Sequence, residues 1–386
     1  MILCESGPEG GPALFAGALD HVVADDASAV APALARLDQL RAQGMWIAGY
    51  AAYEAGLALE PRLARLMPER RDGPLLAFGA YAAPQDAGAV LAQAADQAGA
   101  VRLAPRHPLI SRADYGVAFA KVADYIAAGD CYQINLTFPF ESRLESGTPL
   151  GLYGALRARQ AVGFGAYADL GTAPVVISRS PELFFAVDAA GRIEARPMKG
   201  TAPRSSDPTV DAHLAEALRT SPKDRAENLM IVDLLRNDIA RISAVGSVRV
   251  PELFTIDSFA TVHQMSSRVV GQLAGAPGLA GLMAALFPCG SITGAPKIRA
   301  MEIIEETEKE KRGIYAGAIG YFSYNGNMDT AITIRTILML DSRCCIQSGA
   351  GIVADSVPEK EYSETLNKAK AMLKAISVTS GLRKKK

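Results

Sequence analysis

Between Ala316 and Ser348 the chain runs in three stretches of strand-like residues, Ala316 to Tyr324, Met328 to Leu340 and Cys344 to Ser348. Asn325-Gly326 and Asp341-Ser342 separate them. Asn-Gly tolerates the positive φ of a tight hairpin turn, so this spacing predicts an antiparallel meander. Pro358 then opens a helix expected from about Glu359 to Ile376, its fixed φ suiting a first helical position. A meander followed by a helix excludes a run of βαβ units and points to a mixed chain built on an antiparallel sheet.

Upstream, Ala29 to Gln43 and Arg112 to Ala128 carry helical periodicity, while Trp46 to Tyr53, Gln133 to Phe140 and Pro174 to Ser178 read as strands. The Ala/Gln-rich stretch Gly88 to Ala100, closed by Pro105 and Pro108, reads as a surface helix or linker. A boundary is therefore expected near residue 105, dividing an N-terminal segment, 1–105, from a denser part, 106–380. The sequence has no internal repeat at a fixed period.

Composition narrows the partners. Forty Lys and Arg against 41 Asp and Glu provide no net positive field to gather nucleic-acid phosphates. The Arg383-Lys384-Lys385-Lys386 run reads as a solvated tail. Five cysteines, Cys4, Cys131, Cys289, Cys344 and Cys345, show no metal-binding spacing, and their odd number fits reduced thiols in the cytoplasm. The first residues lack a secretory pattern and no long uncharged apolar run occurs, so neither secretion nor a membrane span is expected.

Glu361, Glu364 and Lys368 fall at i, i+3 and i+7 of the last predicted helix and share one face. Glu227 stands at the head of an apolar helix through Leu229, Ile231, Val232 and Leu235. Hard divalent cations take carboxylate oxygens, so these glutamates are candidate ligands, although such a face is more often simply solvated. Arg179, Arg204, Arg335 and Lys368 are candidate binders of a carboxylate. Arg335 is the best placed, in an alternating strand with Thr333 on the same face. Gly290 to Lys297 fails as a P-loop, because Ala295 and Pro296 separate Gly294 from Lys297 and no hydroxyl follows. Gly349-Ala350-Gly351 lacks the third glycine of a dinucleotide loop. Both segments read either as plain turns or as close backbone approaches to another anion, such as a carboxylate.

Several segments together resemble the chorismate-utilising enzymes, the family of anthranilate, aminodeoxychorismate, isochorismate and salicylate synthases. They are Gly129 to Leu136, Ser180-Pro181-Glu182-Leu183-Phe184, Arg196-Pro197-Met198-Lys199-Gly200-Thr201, Asp224 to Asn228 with Val232 to Leu234 and Arg236 to Asp238, Ser291 to Lys297, and Glu361 to Thr365. The resemblance implies an α+β fold of two large antiparallel sheets packed together with helices outside, the N-terminal segment belonging to the same body.

It also implies site residues. Lys199 stands where aminodeoxychorismate-forming members carry a lysine and anthranilate-forming members carry alanine, so the motif is similar to that of the chorismate-binding component of the former, in the para-aminobenzoate branch of folate biosynthesis. By resemblance Lys199 is the nucleophile that forms an adduct at C2 of chorismate, and Glu182 the acid that protonates the departing hydroxyl. Glu227, Glu361 and Glu364 match ligands of Mg²⁺. Arg335, Tyr315 and Lys368 match contacts to substrate carboxylates, assisted by the backbone around Gly200, Thr201, Gly349, Ala350 and Gly351. His263 matches a site histidine and Thr293 a pocket-lining residue. Gln133 falls where the isochorismate and salicylate synthases place a lysine base, which argues against water as the nucleophile.

The sequence contains no Gly-x-Cys-x-Gly nucleophile motif of a glutaminase and no segment left over for a lyase. Ammonia is expected from a glutamine amidotransferase subunit, and pyruvate elimination from a separate aminodeoxychorismate lyase. An anthranilate-forming component of the same family remains an alternative. So does a non-catalytic subunit that only activates a glutaminase, against which the retained Lys199, Glu182 and three glutamates weigh.

Overall fold

The computed structural model describes residues 1–259 and 262–377, and for residue 371 and residues 373–377 it describes the backbone alone. The basic run at 383–386 and the end of the expected 106–380 region lie outside the described residues.

Two large antiparallel sheets form the body, of eleven and ten strands among the described residues. The first runs Gly294–Ala295, Gln133–Ser146, Arg343–Ile352, Thr336–Leu340, Val175–Ser180, Phe164–Ala168, Ile2–Cys4, Ala13–Phe15 and Gln85–Asp86. The second runs Met198–Pro203, Val262–Gln272, Arg192–Ala195, Leu183–Val187, Met328–Ile332, Ala318–Phe322, Trp46–Ala51, Leu76–Tyr81 and Asp20–Ala24. Strands from the first hundred residues join both sheets. One apolar layer draws Ile2, Phe15 and Val176 from the first sheet and Tyr50, Tyr81 and Tyr321 from the second. Phe15 anchors it, its ring 5.6 Å from Tyr321 and 5.7 Å from Tyr81. Such buried aromatic contacts add to the area they remove from water.

The meander departs from its sequence pattern in one respect. Met328 to Leu340 is not one strand: Met328–Ile332 pairs in the second sheet and Thr336–Leu340 in the first. The chain crosses over at Thr333-Ile334-Arg335, where Arg335 takes φ +50° and its carbonyl accepts the Arg179 N–H at 3.0 Å. A non-glycine residue at positive φ costs energy, and here hydrogen bonds on both sides of the crossover hold it. The Thr333 N–H bonds the Gly317 carbonyl at 3.0 Å, and the Ala316 N–H bonds Thr333 at 3.1 Å.

Helices that carry site residues begin on ordinary caps. Ser221 accepts the Asp224 N–H ahead of Pro222–Ala240, with Pro222 in the first turn. Pro358 opens Pro358–Ser377, which packs against the Arg343–Ile352 strand. Among the described residues, no helix is long and apolar enough to cross a membrane.

Candidate active site

The site gathers where the edges of the two sheets meet the helices Pro222–Ala240 and Pro358–Ser377. Lys199 enters from the strand Met198–Pro203, whose pairing with Val262–Gln272 slips between Met198 and Thr201. Such a bulge re-aims a side chain. Gly200 makes it possible with φ +84°; a Cβ there would also stand 2.8 Å from Asp224 Oδ1. Glu182 comes from the turn entering Leu183–Val187, where its N–H meets Ser180 Oγ at 3.3 Å and its carbonyl accepts the Ile332 N–H at 3.2 Å.

Both side chains line one cavity of about 630 Å³, within the range of small-molecule sites. Ser291 joins them: its hydroxyl donates to Glu182 Oε1 at 3.0 Å, and its carbonyl accepts from Lys199 Nζ at 3.2 Å. Desolvation pushes the Glu182 carboxyl up, against the opposing pull of Lys199, the Ser291 hydroxyl and Arg335. Desolvation likewise holds the Lys199 amine below the usual lysine range, opposed by Glu182 and reinforced by Lys368.

The rest of the wall is rich in carboxylate and cationic groups. Lys368 Nζ donates to the Gly349 carbonyl at 3.2 Å and pairs with Glu364 at 2.7 Å. Arg335 keeps part of its side chain open to the cavity, yet desolvation lowers its pKa, opposed by Glu182. Tyr315 presents a hydroxyl that receives a long contact from the Asn135 amide, 3.4 Å. Burial raises the carboxyls of Glu227 and Glu361, the latter further through Glu364. These oxygens are the donors a hard divalent cation takes. Among the described residues, however, no three acidic, histidine or cysteine side chains converge closely enough to hold an ion.

A model of the chorismate binding enzymes matches residues 3–374. The chain belongs to this family. It is 46% identical over 267 residues to "Aminodeoxychorismate synthase component 1" of Escherichia coli K12, covering 69% of this chain and 58% of that protein. It is 47% identical over 258 residues to "Anthranilate synthase component 1" of Aquifex aeolicus, covering 67% of this chain and 52% of that protein. The matched region thus spans less than two thirds of these relatives. In three dimensions it resembles anthranilate synthase component I from Streptococcus pneumoniae, with TM-score 0.79 and 28% identity over 93% of this chain and 91% of that one. It shares its fold with the menaquinone-specific isochorismate synthase MenF of Escherichia coli, with TM-score 0.74 and 16% identity over 97% of this chain and 88% of that one.

Of the positions matched to the family by sequence, Lys199, Glu182, Gly200, Thr201, Tyr315, Arg335, Lys368, Gly349, Gly351, Glu227, Glu361 and Glu364 line the cavity. Three do not. His263 is buried outside it, with one ring nitrogen 3.0 Å from Asp211 Oδ1 and the other 2.9 Å from Ser258 Oγ. Both polar atoms are thereby spent on fastening two neighbouring elements. Thr293 lies behind the wall, its hydroxyl donating to the Cys289 carbonyl at 3.1 Å. Ala350 points into the core while Gly349 and Gly351 line the cavity, as strand alternation requires. Arg179 and Arg204 are also away from it, ion-paired with Glu5 and Asp211 respectively.

Ser291 is the residue that motif matching passed over. It lies in the Ser291 to Lys297 segment, but nothing in the linear pattern distinguishes its hydroxyl from that of Thr293 two residues on. The cavity also receives Asn135, Gln264 and Gln347, polar residues on strands with no local signal of their own.

Proposed function

We propose that the chain converts chorismate and ammonia to 4-amino-4-deoxychorismate through a covalent adduct on Lys199. One observation carries the reading: desolvation drives Lys199 and Glu182 together toward their neutral forms in the same cavity. In that state the amine has a free lone pair and the acid has a proton to give. The Lys199 nitrogen attacks C2, both ring double bonds shift (C1=C2 to C1=C6 and C5=C6 to C4=C5), and the C4–O bond breaks. The hydroxyl leaves as water with the proton from Glu182, which regains one from the new C2 ammonium. Ammonia then attacks C4, both double bonds shift back, and the C2–N bond breaks. Protonation by Glu182 returns Lys199 as the amine, and the proton shed by the incoming nitrogen restores Glu182.

Arg335 and Lys368 would hold the substrate carboxylates, with the Tyr315 hydroxyl as a further donor. Glu227, Glu361 and Glu364 would hold Mg²⁺, whose charge would match a carboxylate of the substrate. Gln133 lies in the cavity, and its Oε1 has no hydrogen-bond partner among the described residues. An amide cannot deprotonate water, whereas ammonia already carries a lone pair. A glutamine amidotransferase subunit would supply that ammonia, and a separate lyase would remove pyruvate.

The test is product identity. The purified chain with chorismate, Mg²⁺ and ammonium chloride should form 4-amino-4-deoxychorismate, and glutamine alone should give no turnover. Release of anthranilate would instead favour the reaction named for the Aquifex relative.

A further inference from the structure

Lysines on and behind the cavity wall divide by what they touch. Lys223, Lys297 and Lys368 stand 3.6, 2.6 and 2.7 Å from the carboxylates of Asp355, Asp238 and Glu364 respectively. Lys199 differs. Among the described residues no carboxylate comes within ion-pair distance of its Nζ, which donates to the neutral Ser291 carbonyl at 3.2 Å. We propose that Lys199 also captures 2-oxo acids as an imine, its nitrogen bonding the 2-carbonyl carbon while Arg335 holds the carboxylate. This activity goes beyond amination, since neither chorismate nor ammonia takes part in it.

Imine formation needs three groups, and one cavity brings them together. The first is a free amine, which desolvation and then the Lys368 charge favour at Lys199. The second is an acid for the departing oxygen, and desolvation pushes Glu182 toward its protonated form. The third is a cation beside the reacting carbon. The Arg335 guanidinium has no ion-pair partner among the described residues, and Glu182 feels its charge together with that of Lys199.

The Lys199 lone pair attacks the carbonyl carbon, and the oxygen takes the Glu182 proton. The nitrogen returns a proton to Glu182, which passes it to the new hydroxyl. Water leaves, the C=N bond forms, and an iminium remains beside the Glu182 carboxylate. A ketone without a carboxylate lacks the anchor and a saturated acid lacks the electrophile, so the two features together define the ligand class. The cavity, about 630 Å³, accommodates such an acid. The lyase step proposed above releases pyruvate, itself a 2-oxo acid, so on that reading the by-product competes with chorismate for Lys199.

The probe is pyruvate with cyanoborohydride at neutral pH, which reduces an iminium to a stable secondary amine read by intact mass and peptide mapping. Lys199 should take the label faster than exposed lysines, and Lys199→Ala should lose that fast phase. Methyl pyruvate is at least as electrophilic but uncharged. It should label Lys199 at least about tenfold more slowly, the worth of one hydrogen bond to a charged group, and Arg335→Ala should slow pyruvate by a similar factor. The ester comparison uses the wild-type chain, so it stands even if a variant misfolds. Labelling of Lys199 no faster than of exposed lysines, or undiminished by the ester or by Arg335→Ala, would overturn the capture. Fast, acid-selective labelling in a chain that never aminates chorismate would instead overturn the proposed function, so the two failures are separable.

Discussion

Two clusters of buried charge stand back to back across Asn135 and Ile292, and they are built on opposite terms. Behind the wall, Arg312 forks onto both Glu308 oxygens at 2.7 and 2.9 Å and donates to the carbonyls of Ile292 at 2.9 Å and Asn135 at 2.5 Å. Glu308 in turn accepts the Thr137 N–H at 2.8 Å and its hydroxyl at 2.9 Å. Within the cavity, Lys199 donates to the Ser291 carbonyl, while Glu182 accepts from the Ser291 hydroxyl and the Met198 backbone N–H, fewer bonds than the Arg312 and Glu308 pair makes. A saturated buried pair holds structure, whereas an undersaturated one keeps bonding capacity for a substrate. The first cluster should therefore respond to mutation in stability and the second in chemistry.

The largest effect is expected at Lys199. Lys199→Ala should lower turnover with ammonium at least about a thousandfold, roughly 4 kcal/mol of barrier, and abolish the added mass seen with chorismate alone. Its melting temperature should stay level or rise, because a desolvated amine is removed. A large loss of stability in this variant would break the contrast between the clusters.

Next comes the clamp. Arg312→Ala strands a buried carboxylate, and such breakage costs about 3–5 kcal/mol. Urea denaturation should detect it. Because Arg312 also holds the carbonyls on either side of the cavity wall, some activity will be lost as well, but the variant should still form the Lys199 adduct at low temperature. Unchanged stability would show that the pair is not structural.

The metal sharpens the comparison within the cavity. Mg²⁺ at a hundred times its Kd should stabilise the fold by about 2.7 kcal/mol, since only the folded chain gathers Glu227, Glu361 and Glu364 on one cavity. Thermal melts with and without chelator would measure this, and Glu361→Gln should reduce the shift. An identical melt at all Mg²⁺ concentrations would remove the ion from the site.

What the sequence revealed divides along similar lines. Strand runs and helix starts were legible because period and caps are local, and twelve of the fifteen matched positions line the cavity. The crossover at Arg335 was not, since both halves of Met328 to Leu340 are strand-like and no glycine or asparagine marks the positive φ. Arg335 reaches the cavity by that crossover rather than by strand alternation. That the Ala350 side chain faces the core, leaving only its backbone for the site, could have been read from the period of two alone. His263 and Thr293 could not, because whether a polar side chain faces a cavity or spends its bonds inside the fold depends on partners 52 positions away for His263 and on the local turn for Thr293.

The smallest and most discriminating effect is expected at Ser291. Its hydroxyl donates to Glu182, which favours the charged carboxylate, and its carbonyl accepts from Lys199. Ser291→Ala removes the first bond and keeps the second. Glu182 also faces Lys199 and Arg335, and Cys289 and Tyr315 lie near enough to feel its charge. Losing the donor should raise the Glu182 pKa beyond its already elevated position. An acid that must be protonated loses activity as pH rises through its pKa, so the alkaline limb of the kcat profile should move to higher pH. The acidic limb, set by deprotonation of Lys199, should stay near its wild-type position, because the carbonyl remains. Turnover at neutral pH should change by about tenfold or less, the worth of one hydrogen bond to a charged group. Ser291→Thr, which retains a hydroxyl, should bring the alkaline limb back toward wild type. If the alanine variant instead moved the alkaline limb downward, or moved both limbs together, Ser291 would be acting on the fold of the wall rather than on the protonation of Glu182.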